Sequence, residues 1–236
     1  MGQALYRKYR SKSLSEIVGQ DHITQTLDQA LKQGRISHAY LFTGPRGVGK
    51  TSIARILAHE INNLEYSGDT HLDIIEIDAA SNRRIDEIRE LRDKVYIAPT
   101  SAKYKVYIID EVHMLTREAF NALLKTLEEP PQKTILILTA SHLESLLPTI
   151  ISRVQAISVQ KPVKSDLNNL FSQEFKQEDI DKAYAVSAGL PGLMQAILSQ
   201  EDHPLKDATD QARSILGMNT YQRLLKVDEL AKDKAL

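Results

Sequence analysis

The sequence predicts an α/β fold in which a parallel five-stranded sheet bears helices on both faces and a small all-helical domain follows. Three observations predict it. Apolar strand candidates alternate with helical segments up to about residue 160, which is typical of a parallel sheet covered on both sides. A glycine-rich loop joins the first strand candidate to a helical segment. Every segment after residue 160 has helical periodicity.

Five short apolar runs are the strand candidates, and each is about as long as an ordinary strand. The third run is wholly apolar, as is typical of a central parallel strand. The candidates cover residues 39–43, 72–77, 106–109, 135–139 and 155–159.

A proline marks the end of the strand-containing part. Pro162 follows the last strand candidate, and proline supplies no N–H group to a sheet. We therefore expect a core domain over residues 1–161 and a helical domain over residues 162–236. Helical patterns in the second part cover residues 166–171, 178–187, 191–199, 205–216 and 221–235, and the last has no glycine or proline stop signal.

Composition excludes several classes of function. The chain has 236 residues, no cysteine, and 30 Lys and Arg against 31 Asp and Glu. Disulfides and thiolate metal sites are therefore excluded, and the near-neutral charge argues against binding DNA over the whole surface, although a local basic strip is compatible with it. There is no apolar run of about 18 residues, and residues 1–10 lack the apolar core of a signal peptide. We expect a cytoplasmic protein without membrane contact.

The loop after the first strand candidate has the pattern of a phosphate-binding loop. Its glycines allow backbone N–H groups to turn towards phosphates, and the following helix directs its N-terminus at them. Lys50 is expected to reach the β- and γ-phosphates of a nucleotide, and Thr51 to bind Mg²⁺. The alternative is an ordinary glycine-rich turn. The expected contact residues are Gly44, Pro45, Gly47, Val48, Gly49, Lys50, Thr51 and Ser52.

Two carboxylates follow the apolar run 106–109. Asp110 is expected to hold Mg²⁺ as a Walker B aspartate does, and Glu111 to polarise an attacking water molecule. The alternative is an acidic cap on a helix at residues 112–115. With the loop upstream, the pair predicts a nucleotide hydrolase rather than a nucleotide sensor.

Several longer motifs occur in a fixed order along the chain. They are residues 4–10 (ALYRKYR), 18–20 (VGQ), 38–42 (HAYLF), 77–82 (IDAASN), 110–115 (DEVHML), 121–131 (NALLKTLEEPP) and 152–153 (SR). Together they resemble the AAA+ clamp-loader subunits of bacterial DNA polymerase III, closest to gamma/tau. The resemblance is dense from residue 4 to about 160. It implies the AAA+ fold, with a lid as the helical domain, and an ATPase that uses ATP and Mg²⁺.

The resemblance assigns further site residues. Ser141 would report on the γ-phosphate, and Arg153 would be an arginine finger in the ATP site of a neighbouring subunit, although an isolated arginine is usually a surface charge. An adenine pocket would hold the base by stacking and apolar contact, the alternative being an amphipathic leader packed on the core. The pocket residues would be Tyr6, Arg7, Tyr9, Arg10 and Val18.

The resemblance also implies contact with DNA. Asn82, Arg83 and Arg84 at the start of one helix, and Lys125 on another, would contact the DNA backbone without reading its sequence. The alternative is a solvated face of ordinary helix charge pairs over residues 83–94.

The chain departs from the gamma/tau pattern in three places. Residues 62–70 replace a four-cysteine zinc module, so we expect no zinc. The sensor stretch, commonly Thr-Thr, reads Thr139-Ala140-Ser141. Residues 189–194 place a glycine where a lid arginine is expected, which resembles the delta-prime stator of the same machine, as does the tail 221–234.

Two functions remain open from the sequence. The first is an ATPase subunit that, with other clamp-loader subunits, loads the sliding clamp on primed DNA; any polymerase label would belong to the holoenzyme. The second is a delta-prime-like stator that donates Arg153 to a neighbour. Another AAA+ remodeller, such as a branch-migration or helicase-loading ATPase, fits the ordered motifs less well. The chain ends where a collar domain would begin, either because it is truncated there or because it is a reduced natural protein.

Overall fold

The computed structural model describes residues 13–66, 71–80 and 95–199, together with residues 214–215, 218–219 and 222. The strands are β1 (Ala39–Thr43), β2 (Ile74–Asp78), β3 (Lys105–Asp110), β4 (Thr134–Ala140) and β5 (Gln155–Ser158). The α-helices are α1 (Asp21–Lys32), α2 (Lys50–Ile61), α3 (Arg117–Glu128), α4 (Pro148–Ile151), α5 (Lys164–Phe171), α6 (Gln177–Ser187) and α7 (Pro191–Leu198). Short 3₁₀ helices occur at Leu14–Glu16, Val112–Met114 and Leu143–Ser145.

The strands form one sheet in the order β2-β3-β4-β1-β5, and every neighbouring pair is parallel. The predicted five-stranded parallel sheet is confirmed. The second strand begins at Ile74 rather than at residue 72. Leu72 is apolar but 80% exposed, because the chain turns at residues 72–73 before it joins the sheet.

Apolar side chains on the two faces of the sheet form separate clusters. Val106 and Ile108 of β3 pack with helix α2, whereas Tyr107 and Ile109 pack on the opposite face with helix α3. A strand that is buried on both faces reads as a continuous apolar run instead of an alternating one. This burial explains why the central strands were predictable from the sequence.

The helical part has an apolar cluster of its own. Helices α5, α6 and α7 bring together Leu167, Phe171, Ile180, Ala183 and Met194. The predicted all-helical region after the sheet is confirmed over these three helices. The predicted helices at 205–216 and 221–235 lie almost wholly outside the described residues, and the domain boundary after residue 161 stays a prediction.

A side-chain clasp ties the segment before α1 to the segment after β5. The amide of Gln20, which is 1% exposed, donates to the Gln160 carbonyl oxygen at 2.6 Å and accepts the Gln160 N–H at 3.4 Å. Gly19 has a φ of +69°, and a Cβ there would lie 2.8 Å from the Cβ of Pro162. Only glycine fits so close an approach. The clasp places Val18 beside the junction between the sheet and the helical part.

Asp73 anchors the loop that leads into β3. Its side chain is 1% exposed, and its carboxylate accepts the N–H groups of Thr100 at 2.7 Å, Ser101 at 2.8 Å and Ala102 at 2.9 Å. Burial acts to raise the pKa of Asp73, but the three N–H donors and nearby His71 outweigh it and hold that pKa well below its usual range.

We expect Asp73→Asn to lower the free energy of unfolding at pH 7 by about 2–3 kcal/mol, because hydrogen bonds to a charged acceptor are lost. In the native sequence the ionised group stabilises the fold fully above its unfolded pKa of 3.8, and this stabilisation declines as the pH falls below that value. Urea unfolding at pH 7 and pH 3 measures both effects. The control is Asp28→Asn, whose partner Lys32 has a 73% exposed side chain and which should cost less than about 1 kcal/mol. Equal stability of Asp73→Asn and Asp28→Asn would contradict the anchor.

Candidate nucleotide site

The glycine-rich loop lies at the carboxyl end of β1, which is next to the outer strand β5 in the sheet. The carboxyl ends of the strands are called the carboxyl edge of the sheet. Ligands of open parallel sheets bind at this edge. Gly44, Gly47 and Gly49 have φ angles of 148°, 85° and 98°, which residues with a side chain rarely adopt. A Cβ on Gly44 would lie 2.1 Å from the Val159 carbonyl oxygen. The loop therefore adopts backbone conformations that require glycine, as its pattern predicts.

The Lys50 ammonium group lies beneath the loop. The residue is 4% exposed, and its ammonium group donates to the carbonyl oxygens of Gly44 at 2.8 Å and Pro45 at 3.0 Å. Burial lowers the pKa of Lys50, Glu111 and Asp110 act to raise it, and Arg46 lowers it further. A buried cation with incomplete compensation is a favourable partner for a phosphate anion.

Thr51 and Asp110 meet although they lie 59 residues apart in the chain. The Thr51 hydroxyl donates to both carboxylate oxygens of Asp110, each at 3.0 Å. A hydroxyl and a carboxylate are the hard oxygen ligands that Mg²⁺ prefers. These two residues fit the predicted magnesium site.

Thr139 belongs to the sensor stretch, but the sequence analysis gave it no role of its own. It is 0% exposed; its hydroxyl donates a short hydrogen bond to Asp110 and accepts the Glu111 N–H at 2.9 Å. Ile109 pairs with Leu138 across β3 and β4, so Thr139 lies level with Asp110. The register between β3 and β4, which the sequence pattern does not fix, places Thr139 there.

Glu111, His113 and Ser141 form a line of contacts at the same edge. Glu111 has left-handed backbone angles of φ 51° and ψ 46°, a strained state for a residue with a side chain. Its Oε2 atom lies 3.3 Å from His113 Nδ1, and His113 Nε2 lies 3.3 Å from the Ser141 hydroxyl. His113 was not among the predicted site residues, since only the fold places it between the other two.

The helical part also contacts the loop. The Leu190 side chain lies against Gly47, where a Cβ would be 3.3 Å from Leu190 Cδ1. Val48 is buried, and Val18 and Ser52 are half-buried. The other predicted adenine-pocket residues Tyr6, Arg7, Tyr9 and Arg10, and the predicted DNA contacts Asn82, Arg83 and Arg84, lie outside the described residues.

Arg153 lies at the amino ends of the strands, whereas the phosphate-binding loop lies at their carboxyl ends. It precedes β5, which runs parallel to β1 with Gln155 beside Tyr40, so it is near the amino ends of both strands. Its guanidinium contacts Glu128 Oε1 at 2.9 Å and donates to the Thr149 carbonyl oxygen at 2.7 Å. An open cavity of about 580 Å³ adjoins it. The structure thus separates Arg153 from the site of its own chain.

Lys125 is exposed on α3, so it is accessible to a ligand. The described residues contain no group of three or more His, Cys, Asp or Glu that could hold a metal ion, and the expected lack of zinc stays a prediction. Within the described part of the chain, no helix has the length and apolar character needed to cross a membrane.

Comparison with known sequences confirms the resemblance to DNA polymerase III subunits. The family described as "DNA polymerase III, delta subunit" matches residues 19–163. DNA polymerase III subunit tau of Bacillus subtilis is 43% identical over 227 residues, which are 88% of this chain and 40% of that protein. Subunit tau of Escherichia coli is 38% identical over 229 residues, 89% of this chain and 36% of that protein. The chain thus spans about two fifths of the length of these relatives.

Solved structures share the fold. A gamma-subunit-related protein of DNA polymerase III from Thermotoga maritima has a TM-score of 0.60 at 23% identity, covering 85% of this chain and 66% of that one. The RuvB Holliday junction branch migration motor of the same organism has a TM-score of 0.58 at 18% identity, covering 89% of this chain and 74% of that one. Both likenesses support the AAA+ fold that the motifs predict. Because the family match covers most of the sheet-containing part, this chain belongs to the family of the DNA polymerase III delta subunit and is similar to the gamma/tau clamp-loader subunits.

Proposed function

We propose that this chain binds ATP with Mg²⁺ and hydrolyses it as a subunit of a sliding-clamp loader. The observation that best supports the proposal is the contact between Thr51 and Asp110 at 3.0 Å. It joins the start of helix α2, directly after the phosphate-binding loop, to the acidic end of β3. A phosphate-binding group, a magnesium-binding pair and a second carboxylate, Glu111, therefore lie at one edge.

Each residue of this edge has a chemical task in the proposed reaction. The loop N–H groups and Lys50 hold the phosphate oxygens and neutralise their charge. Bound Mg²⁺, held by Thr51 and Asp110, would neutralise further negative charge. Glu111 orients a water molecule and accepts its proton while the water oxygen bonds to the γ-phosphorus. The bond from the γ-phosphorus to the β–γ bridging oxygen breaks, and ADP and phosphate leave.

The position of Arg153 supports an assembly of several subunits. A guanidinium near the amino ends of the strands is remote from its own phosphates, and in the proposed assembly it would serve those of a neighbour stacked on that side. There its charge would stabilise the transferring phosphoryl group. We propose that the partners are other clamp-loader subunits, the sliding clamp and primed DNA. Lys125, Asn82, Arg83 and Arg84 would hold the DNA without sequence preference. We propose that the assembly acts in the cytoplasm.

One observation favours the second candidate, a stator that binds nucleotide without cycling. The segment that approaches the loop from the helical part presents Leu190 to Gly47, and Gly192 follows it at the start of α7. An apolar residue and a glycine supply no charge to a phosphoryl group, and loss of one such charge costs about 3–4 kcal/mol of transition-state stabilisation.

The two candidates differ in whether turnover depends on Glu111 of this chain as well as on Arg153. We expect Arg153→Ala, mixed with native partner subunits, clamp and primed DNA, to lower the steady-state ATPase rate of the assembly about 10³-fold at the site that the arginine serves. Arg35→Ala, a change of another exposed arginine, is the control and should retain the native rate. If Arg153→Ala alone impairs turnover while Glu111→Gln does not, the chain is a stator. If neither variant changes the stimulated rate, the clamp-loader function is wrong.

A further inference from the structure

We propose that His113 is a positioning residue that orients the Glu111 carboxylate for its reaction with water and couples it to the Ser141 hydroxyl. The inference rests on the proposed ATP hydrolysis and assigns that site a residue which the sequence motifs left without a task. It does not involve the phosphates or the metal directly.

The first argument is the position of His113 between two functional groups. It is the middle residue of the 3₁₀ helix Val112–Met114, and this helix begins directly after Glu111. One ring nitrogen, Nδ1, is 3.3 Å from Glu111 Oε2, and the other, Nε2, is 3.3 Å from Ser141 Oγ. The imidazole therefore spans the gap between the end of β3 and the segment that follows β4.

The second argument is an unsatisfied atom. His113 Nδ1 is shielded from solvent and makes no aligned hydrogen bond within the described part of the chain. Buried polar nitrogens in folded proteins are nearly always hydrogen-bonded. The acceptor at 3.3 Å is the Glu111 carboxylate, so a small rotation of that side chain would satisfy Nδ1.

The chemistry of the two neighbours fixes the direction of the contacts. An ionised carboxylate only accepts hydrogen bonds, so Nδ1 must bear a proton to pair with Glu111. In the neutral ring Nε2 is then an acceptor, and the Ser141 hydroxyl donates to it. Once the Glu111 side chain rotates to align its carboxylate with Nδ1, the hydroxyl, the ring and the carboxylate form one chain of hydrogen bonds, in which a change at Ser141 alters the donor strength of Nδ1.

The third argument is that Glu111 has little other freedom. Its N–H is bound to Thr139 at 2.9 Å, and its backbone is held in the left-handed region. Only the side-chain torsions remain, and the proposed hydrogen bond from His113 would restrict them. A misplacement of a reacting group by 1 Å can cost about 10²-fold in rate, so such a restriction has a measurable effect.

The test compares three replacements of His113. We expect His113→Ala to lower kcat for ATP about 10–100-fold with an unchanged KM and an unchanged Kd for ATP. Asn places a donor near the position of Nδ1, so His113→Asn should recover much of kcat. Gln places its amide nearer to Nε2, so His113→Gln should recover little. His142→Ala, a change of an exposed histidine nearby, is the matched control and should retain native kcat.

Two results separate a positioning role from a structural one. In the Glu111→Gln background, His113→Ala should cause no further loss of rate, because its effect acts through the carboxylate. Ser141→Ala should lower kcat in the same direction as His113→Ala, again with unchanged KM. Thermal unfolding of each variant establishes that it is folded.

The outcomes that overturn the inference differ from those that overturn the proposed function. Native kcat in His113→Ala, a raised Kd with unchanged kcat, or an independent loss added to that of Glu111→Gln would each overturn the inference while leaving ATP hydrolysis in place. If the native assembly does not hydrolyse ATP, the proposed function fails and the inference fails with it.

Discussion

Glu111→Gln is expected to leave ATP binding unchanged and to lower ATP turnover by about 10²–10⁴-fold, the usual contribution of a positioned general base. Gln keeps the size of the side chain but cannot take a proton from water. The strained backbone at φ 51° and the Thr139 contact to the Glu111 N–H do not depend on the carboxylate. The fold and the phosphate-binding loop should therefore be preserved.

Two measurements check this result: equilibrium titration with ATP, and the steady-state rate of phosphate release in the presence of clamp, partner subunits and primed DNA. Glu174→Gln removes the same charge from an exposed position in the helical part and should turn over ATP at the native rate. Normal turnover in Glu111→Gln would remove Glu111 from the mechanism and favour the stator.

Lys50→Met is expected to raise the Kd for ATP by more than about 10²-fold, because loss of a buried cation opposite phosphate oxygens costs several kcal/mol. The same change should leave the free energy of unfolding within about 1 kcal/mol of the native value, because replacing a buried charge by an apolar chain of similar length removes a desolvation penalty. Lys50 is a buried residue, and Pro45, which supplies one of its two acceptors, is exposed.

The pH dependence gives a second readout for Lys50. Its pKa in the folded protein lies below the ordinary value of 10.5, so the unfolded chain holds this proton more tightly. The contribution of Lys50 therefore makes the native fold more stable as the pH rises through the folded pKa towards 10.5, and Lys50→Met should abolish that increment. Lys32→Met, at a side chain that is 73% exposed, should change neither affinity nor the pH profile. Tight ATP binding by Lys50→Met would refute the assigned role.

The parts of the site that depend on local residue patterns were predictable. The loop, Lys50 and Thr51 follow one another in the chain, and Asp110 with Glu111 ends an apolar run, so residue type and spacing suffice. The contact between Thr51 and Asp110 then follows from the parallel order of the strands. Strands β1, β3 and β4 were predictable because each is buried on both faces and therefore forms a continuous apolar run.

The residues that were missed depend on register and on the direction of side chains. Thr139 and Ser141 are two residues apart and share one direction, so the sequence alone does not tell which hydroxyl meets the carboxylates. The pairing of β3 with β4 gives Thr139 the direct contacts with Asp110 and Glu111 and leaves Ser141 in contact with His113. His113 lies within the motif of residues 110–115, but no residue pattern assigned it a role.

The separation of Arg153 from the phosphate-binding loop also determines how many complete nucleotide sites the proposed assembly would have. In the proposed assembly, the carboxyl edge of each sheet would accept an arginine and the amino edge would donate one, so subunits would associate head to tail. In a closed ring every nucleotide site is complete. An open arc always has one complete site fewer than its number of subunits, because the nucleotide site at one end receives no arginine and the arginine at the other end reaches no site. If the chain is the proposed stator, an end position would suit it, because only one of its two edges would then have a neighbour.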